Sequence, residues 1–400
     1  MSNSLLTPTI IANELLMRFK NNLAFAKTTS HEYDDKFDKI GDTYNLREPV
    51  RFVANSGADV TSQIQDVTEN KVALQVATQK NAAFQFTSKD LTLTIDRFAE
   101  RYLDSAAVAL SNAFEVDGLT VAYQATANLV GTPGTVPATA KVILDAGTKL
   151  DNNSAPIDDD RYVCLNSAGQ ASMVDALKGL FQDSTSISSQ YRKGRMGKAL
   201  GFDWGMSQNI RVHTNGTQAG TPLTNGATQS GASIVTDGWT AANTVKKGTI
   251  ITFAGVNAVN PVSGDDQGVL LQNVVAADAT ADGSGNMTIT LTEAIVTTGA
   301  AKNATSTIAD NSAIVISSGS ASTGYAQNLA YHKHAFVYAM VPLEVPHGVH
   351  FGKTAVDKDS GLSIRVVSAY NVLTDVFVTR CDVLYGWAAR RPRWSCRITA

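Results

Sequence analysis

"VKKGTIITFAGVNAVNP", residues 245–261, decides how the rest of the chain is read. Lys246, Lys247 and Gly248 punctuate a turn, Ile250, Thr252 and Phe253 supply strand-forming side chains, and Gly255 breaks the run. The stretch reads as a compact β element, with Phe253 and Val256 as candidate core residues. Its surroundings differ in composition from the rest of the chain. Residues 211–330 hold 11 of the 69 charged residues, 14 of the 30 glycines and only three aromatics, Trp239, Phe253 and Tyr325. A second element lies in "GVLLQNVVAADATADGSGNMTITLTEAIV", two strand-like runs around the turn-rich Asp282–Asn286. Aromatics then return in "YHKHAFVYAMVPLEVP", and strands in "GLSIRVVSAY" and "TDVFVTRCDVLYGWAARRPRW". A shift that reverses favours a small β domain, barrel or sandwich, inserted into another domain.

Upstream, residues 1–27 carry Ile11, Leu15, Leu16, Phe19 and Leu23 at helical spacing, with Thr7 as cap and Pro8 at the first position. The apolar face (Leu15, Phe19, Leu23) has no evident partner in its own chain; in an assembling protein it would reach a neighbouring subunit or an assembly partner. The polar "KTTSHEYDDKFDKIGD" that follows reads as a solvated, extended arm. From 50 to 88 the period becomes two: Val72, Leu74 and Val76 alternate with Ala73 and Gln75, and Phe84 and Phe86 flank Gln85. This reads as a long two-stranded excursion, marginal alone and in need of a partner surface. Its charged residues Glu69, Lys71 and Lys80 are the candidate contacts. Ile95, Phe98, Tyr102, Ala106, Leu110 and Phe114 then mark a long helix running to about Ala127, with Gly118 as a break or a close-packing point. A strand at "DDDRYVCLN" leads to a helix with Ser167 and Gln170 in capping-box spacing and an apolar face of Met173, Leu177, Leu180 and Phe181.

Four hundred residues with 44% hydrophobic content allow two or three compact units. A net charge of −3 argues against a chain whose main task is coating nucleic acid. Cys164, Cys381 and Cys396 are sparse and odd in number, which suggests reduced thiols. No apolar run reaches the length of a spanning helix, and the N-terminus lacks signal-peptide features. The chain reads as soluble and intracellular.

Catalytic and metal chemistry finds no constellation in the spacing. His332 and His334, and His347 and His350, are close in sequence, but no HExxH or placed carboxylate accompanies them. "GRMGKALG" lacks the spacing of a phosphate loop, and "DATADGSGN" lacks the acidic position that closes a calcium loop. The cluster "GWAARRPRW" with Arg397 can touch phosphate, cap strand ends or pair across an interface. No enzyme and no cofactor are expected.

The order of elements resembles the major coat protein of tailed bacteriophages, an α+β protein of the Hong Kong 97-like capsid fold. Three stretches resemble the coat family of the short-tailed Salmonella phage P22. "VKKGTIITFAGV" is similar to the start of its inserted β-barrel-like I-domain, "GFDWGMSQNI" to the strand leading into it, and "DVLYGWAARRP" to the closing strand. The resemblance implies an N-terminal arm at 1–49 and an E-loop at 50–88. It implies a spine helix with peripheral and axial parts at 89–212, the I-domain at 213–328, and returning strands at 329–400. It also implies self-assembly, with a scaffolding protein, into an icosahedral procapsid of hexamers and pentamers that expands around packaged DNA. A portal protein and weak, non-specific contact with double-stranded DNA complete the implied partners, with no membrane. The implied location is the virion capsid, assembled in the bacterial cytoplasm. Two other readings remain: a secreted or virion-surface fibre or adhesin, favoured by the Gly/Ser/Thr-rich middle, and a metal-dependent hydrolase built on the histidines.

Overall fold

The computed structural model describes residues 8–33, 43–48, 50–52, 57, 58, 61, 64, 71–87, 104–177 and 197–399, with backbone alone for 8–11. The chain forms two compact units. One comprises Met1–Leu46, Val72–Gly118 and Phe336–Ala388; the other comprises Arg47–Lys71, Leu119–Ala335 and Ala389–Ala400.

The first unit is built on a five-stranded sheet. Its order is Phe336–Met340, Val376–Ala389, Leu362–Asn371, Phe351–Asp357, with Thr78–Thr87 also paired to Val376–Ala389. Side chains alternate across it, as a pleated strand requires. Tyr338, Val383 and Tyr385 face one cluster; Val337, Ala339 and Leu384 face another with Leu46, Leu74 and Val76. The first cluster is closed by the N-terminal helix Pro8–Asn22 and by the start of the long helix Asp104–Ala125.

That packing corrects two expectations. Leu15, Phe19 and Leu23 are 0%, 0% and 4% exposed, so the helix buries its apolar face in its own chain. The start of the following stretch is not solvated: Thr29 and Ser30 are buried, and the Ser30 N–H donates to the Phe336 carbonyl while its own carbonyl accepts from Tyr338 N–H. Residue 11's side chain and residues 34–42 lie outside the described residues.

The excursion is corrected as well. The alternating run divides at Val76 and Ala77. Lys71–Gln75 pairs with Thr43–Arg47, and Thr78–Thr87 aligns in full with Val376–Tyr385. The strands therefore find partners in distant parts of their own chain. Glu69 and residues 88–103, which include the expected start of the long helix, lie outside the described residues. The helix ends at Ala125, where Thr126 turns its hydroxyl back to the Ala122 carbonyl at 2.8 Å.

The second unit has a seven-stranded mixed sheet. Along it run Leu129–Val130, Ser395–Thr399, Gly324–His332, Arg161–Leu165, Phe202–Met206 and Lys198–Ala199, and Val212–Thr214 pairs with Gly324–His332. Helix Ala140–Asn152 packs on it through Ile143, Ala146 and Leu150, and helix Ser167–Leu177 through Met173 and Leu177. The first of these was not among the expected elements. The second is capped otherwise than expected: Asn166, not Ser167, accepts the Gly169 N–H, at 2.7 Å. Leu180 and Phe181 lie outside the described residues.

The insertion leaves this sheet by a two-strand stem, His213 lying opposite Tyr325. It contains the sheet Met287–Ile295, Gly231–Trp239, Gly220–Thr224, and a second sheet Asp266–Val274, Ile250–Val259, Ile314–Ile316. A short ribbon pairs Thr244–Val245 with Ala279–Thr280. Phe253 and Val256, each 1% exposed, lie in its core with Ile234, Trp239, Ile251 and Ile289. Isolated bridges such as Leu223–Ala313 and Val275–Leu291 join the sheets, so the described residues form no continuous barrel ladder. Gly255, at φ +79°, does not end its strand; it makes a bulge where the register shifts between Thr252 and Asn257. The Asp282–Asn286 turn is present, with the Asp282 carboxylate accepting from Ser284 and Asn286 N–H at 2.8 Å. Its flanking strands, however, pair with Gly231–Trp239 and Ile250–Val259, not chiefly with each other.

Candidate functional site

The residues with the most unusual environment lie where the insertion meets the sheet of the second unit. Arg397, on the last strand, is fully buried. Its Nε donates to the Thr126 carbonyl at 2.8 Å and its Nη1 to the Gly248 carbonyl at 2.7 Å. The first acceptor closes the long helix, where a cation is favoured by the helix dipole. The second belongs to the Lys-Lys-Gly turn of the insertion. Gly248 holds φ +93°, and a Cβ there would sit 3.1 Å from the Tyr123 ring and 3.4 Å from His213. The turn is pinned by Asp278, which accepts from Lys246 Nζ at 2.8 Å and Lys247 N–H at 2.7 Å.

His213, 3% exposed in the stem, lies 3.3 Å from Thr249 Oγ1 and 5.8 Å, ring to ring, from Tyr123. Burial, and then the Arg397 charge, push its pKa down to about 4. Burial pushes Arg397 itself down to about 9, which leaves it charged at neutral pH. Around this polar centre, Gln272 accepts from the Leu129 N–H at 2.9 Å and donates to the Leu129 carbonyl at 3.2 Å. Leu129, Ile250 and Val274 form a small apolar seam, and Arg393 pairs with Glu293. The arrangement fastens the insertion to the helix end and final strand.

Two members of the arginine cluster, Arg393 and Arg397, make the contacts above, while Arg391 lies 4.2 Å over the Trp394 ring. The role of Arg397 was not legible in the sequence, because its acceptors are backbone carbonyls that carry no residue signature. The histidines divide between the units. His332 is buried and gives Nε2–H to Asp158 at 3.1 Å, since its Nδ1 accepts the His334 N–H; His334 sits in a 3-10 turn, not on the strand. Burial raises the Asp158 carboxyl, but the His332 and Asp160 hydrogen bonds outweigh it and its pKa falls. Among the described residues no group of three or more His, Cys, Asp and Glu side chains could hold a metal ion. No helix among them is long and apolar enough to cross a membrane.

Of the expected subunit contacts, Leu15, Phe19 and Leu23 are spent on the core of the first unit. Lys71 is exposed, and Lys80 is held 3.3 Å from Asp117 on the long helix.

The described residues thus form an α+β chain with an N-terminal helix, a long helix and a β insertion fastened through backbone carbonyls. It has the elements of the Hong Kong 97-like fold that the resemblance implied. The chain matches the family model "P22 coat protein - gene protein 5" over residues 2–396 and belongs to that family. It is thus a phage coat protein, a component of a virion capsid shell. Among solved structures, that of Mycobacterium phage Che8 is 14% identical at a TM-score of 0.44, covering 94% of this chain and 90% of that one. The capsid of the cyanophage P-SCSP1u is 11% identical at 0.43, covering 90% and 83%. The mature capsid of bacteriophage PhiM1 is 11% identical at 0.42, covering 90% and 82%. No curated protein sequence matches the chain.

Proposed function

We propose that the chain is the non-enzymatic major subunit of an icosahedral procapsid, assembling as hexamers and pentamers around a scaffolding protein in the bacterial cytoplasm. The shell incorporates a portal protein, expands as double-stranded DNA is packaged, and touches that DNA weakly and without sequence preference. The observation that carries this reading is the family match over residues 2–396. A net charge of −3 fits a container that must not bind its contents tightly. The single chain also leaves apolar side chains uncovered, as a subunit does: Val372 and Leu373, at one hairpin tip, are 77% and 95% exposed. Glu69, Lys71 and Lys80 are proposed as contacts with neighbouring subunits. The test is electron microscopy of the protein expressed alone and with its neighbouring genes. Closed shells that depend on a second gene product are expected; a chain that never assembles with any of them overturns the reading.

A further inference from the structure

We propose that Arg397, Tyr123 and His213 form a latch that holds the inserted domain to the end of the long helix, and that the latch opens in acid when His213 takes up a proton. The geometry of a buried cation without a carboxylate partner leads to it. Arg397 spends two donors on carbonyls, one from each side of the junction, and its Nη2 has no hydrogen-bond partner among the described residues. A guanidinium in that position tolerates its burial because the carbonyls and the face of Tyr123, 5.6 Å away, supply negative potential. A second cation beside it is compensated less, since burial and the Arg397 charge outweigh the Asn215 hydrogen bond and the Asp278 charge.

The groups that face His213 come from each element around it. Arg397 is on the last strand, Tyr123 on the long helix, Tyr325 opposite it in the stem, Asn215 and Thr249 hydrogen-bond the ring, and Asp278 is in the insertion's loop. Asp278 is the one acid among them, and Lys246 and Lys247 already occupy it. Gly248 packs close to both rings, where a Cβ would lie 3.1 Å from Tyr123 and 3.4 Å from His213, and His213 itself is 3% exposed. A protonated His213 therefore lowers its energy by moving into solvent, and the cheapest motion separates the turn from Arg397. The other docking contacts among the described residues include the Gln272 pair to Leu129, the Leu129–Ile250–Val274 seam, Arg393 with Glu293, and Gln267 to the Asn152 carbonyl. The stem ladder Val212–Thr214 with Gly324–Ala326 keeps the domain attached while it swings. The lowered pKa of His213 agrees, because the docked state holds the ring neutral.

The experiment places spin labels at Lys141→Cys, on the exposed face of helix Ala140–Asn152, and at Val262→Cys, an exposed turn of the insertion. The three native cysteines are buried and stay unlabelled. Electron–electron distances are measured on the full chain at about pH 7.5 and about pH 4, a range that brackets a histidine titration. The expected result is one narrow distance at neutral pH and, in acid, a longer, broader population at least about tenfold larger, with circular dichroism unchanged. His213→Gln, which keeps a polar group beside Thr249 but does not titrate, should stay narrow at both values; Arg397→Met should be broad at both. If Arg397→Met does not fold, His213→Gln decides alone, since it leaves Arg397 in place. A parent protein that does not change with pH, a His213→Gln variant that broadens as the parent does, or broadening accompanied by lost circular dichroism each overturns the latch.

Discussion

At the scale of single residues, competing effects can be ordered by size. Gly118 lies inside the long helix, where replacing glycine by alanine ordinarily stabilises by about 1 kcal/mol. A Cβ there would lie 2.6 Å from the Trp387 ring, and that ring is hemmed in by Phe25, Phe114 and Tyr338 at centroid distances of 5.6, 4.9 and 5.0 Å. Overpacking costs about 1–3 kcal/mol, so Gly118→Ala is expected to lower stability in urea titration, and Trp387→Phe to restore part of it. An alanine variant as stable as the parent would show that the ring yields. His213 gives a pH dependence with a definite sign. Its folded pKa lies below the unfolded value of 6.5, at about 4, so its contribution is complete above 6.5 and is lost as pH falls toward 4. A shift of that size corresponds to about 3 kcal/mol. Urea midpoints of parent and His213→Gln should converge across that interval; parallel midpoints would mean that His213 titrates normally.

At the scale of elements, the N-terminal helix illustrates how far periodicity reaches. Spacing of Leu15, Phe19 and Leu23 was sufficient to place a helix and its apolar face. It could not say which surface covers that face, because strands from residues 336–385 and the long helix supply it, all of them distant in the chain. Glu115 adds a link that no spacing reveals: its buried carboxylate accepts the Phe25 N–H at 2.7 Å and that of Ala24. Phe19→Ala should therefore destabilise the monomer by about 3–5 kcal/mol, read from thermal unfolding before any assembly. A variant that melts like the parent and fails only in assembly would return the helix to an interface. The insertion is a different case, because its core is its own. Residues 213–328 expressed alone are expected to give dispersed NMR amide signals, with Phe253→Ala costing about 3–5 kcal/mol. A collapsed spectrum from the parent fragment would mean that the buried seam residues Ile250 and Val274 need Leu129 to fold.

At the scale of the whole molecule, stability and assembly should separate. Lys80 and Asp117 form a surface pair with side chains 41% and 34% exposed, and such pairs contribute at most about 1 kcal/mol. Lys71→Glu combined with Lys80→Glu should leave the monomer's circular dichroism and melting nearly unchanged while impairing shell formation in electron micrographs. Normal shells from the double variant would remove both lysines from the proposed contacts. What the sequence by itself determined were the features written in local pattern: the helical periods, the inserted region's distinct composition, the turns at Gly248 and Asp282, and the core positions Phe253 and Val256. Only the tertiary structure decided which strands pair, where the N-terminal helix lies, and that Arg397 joins a helix end to a turn. Local pattern records whether a face is apolar or a turn is permitted. Partners distant in the chain are chosen by the free energy of closing both faces together, and backbone carbonyls, which Arg397 recognises, are the same at every residue.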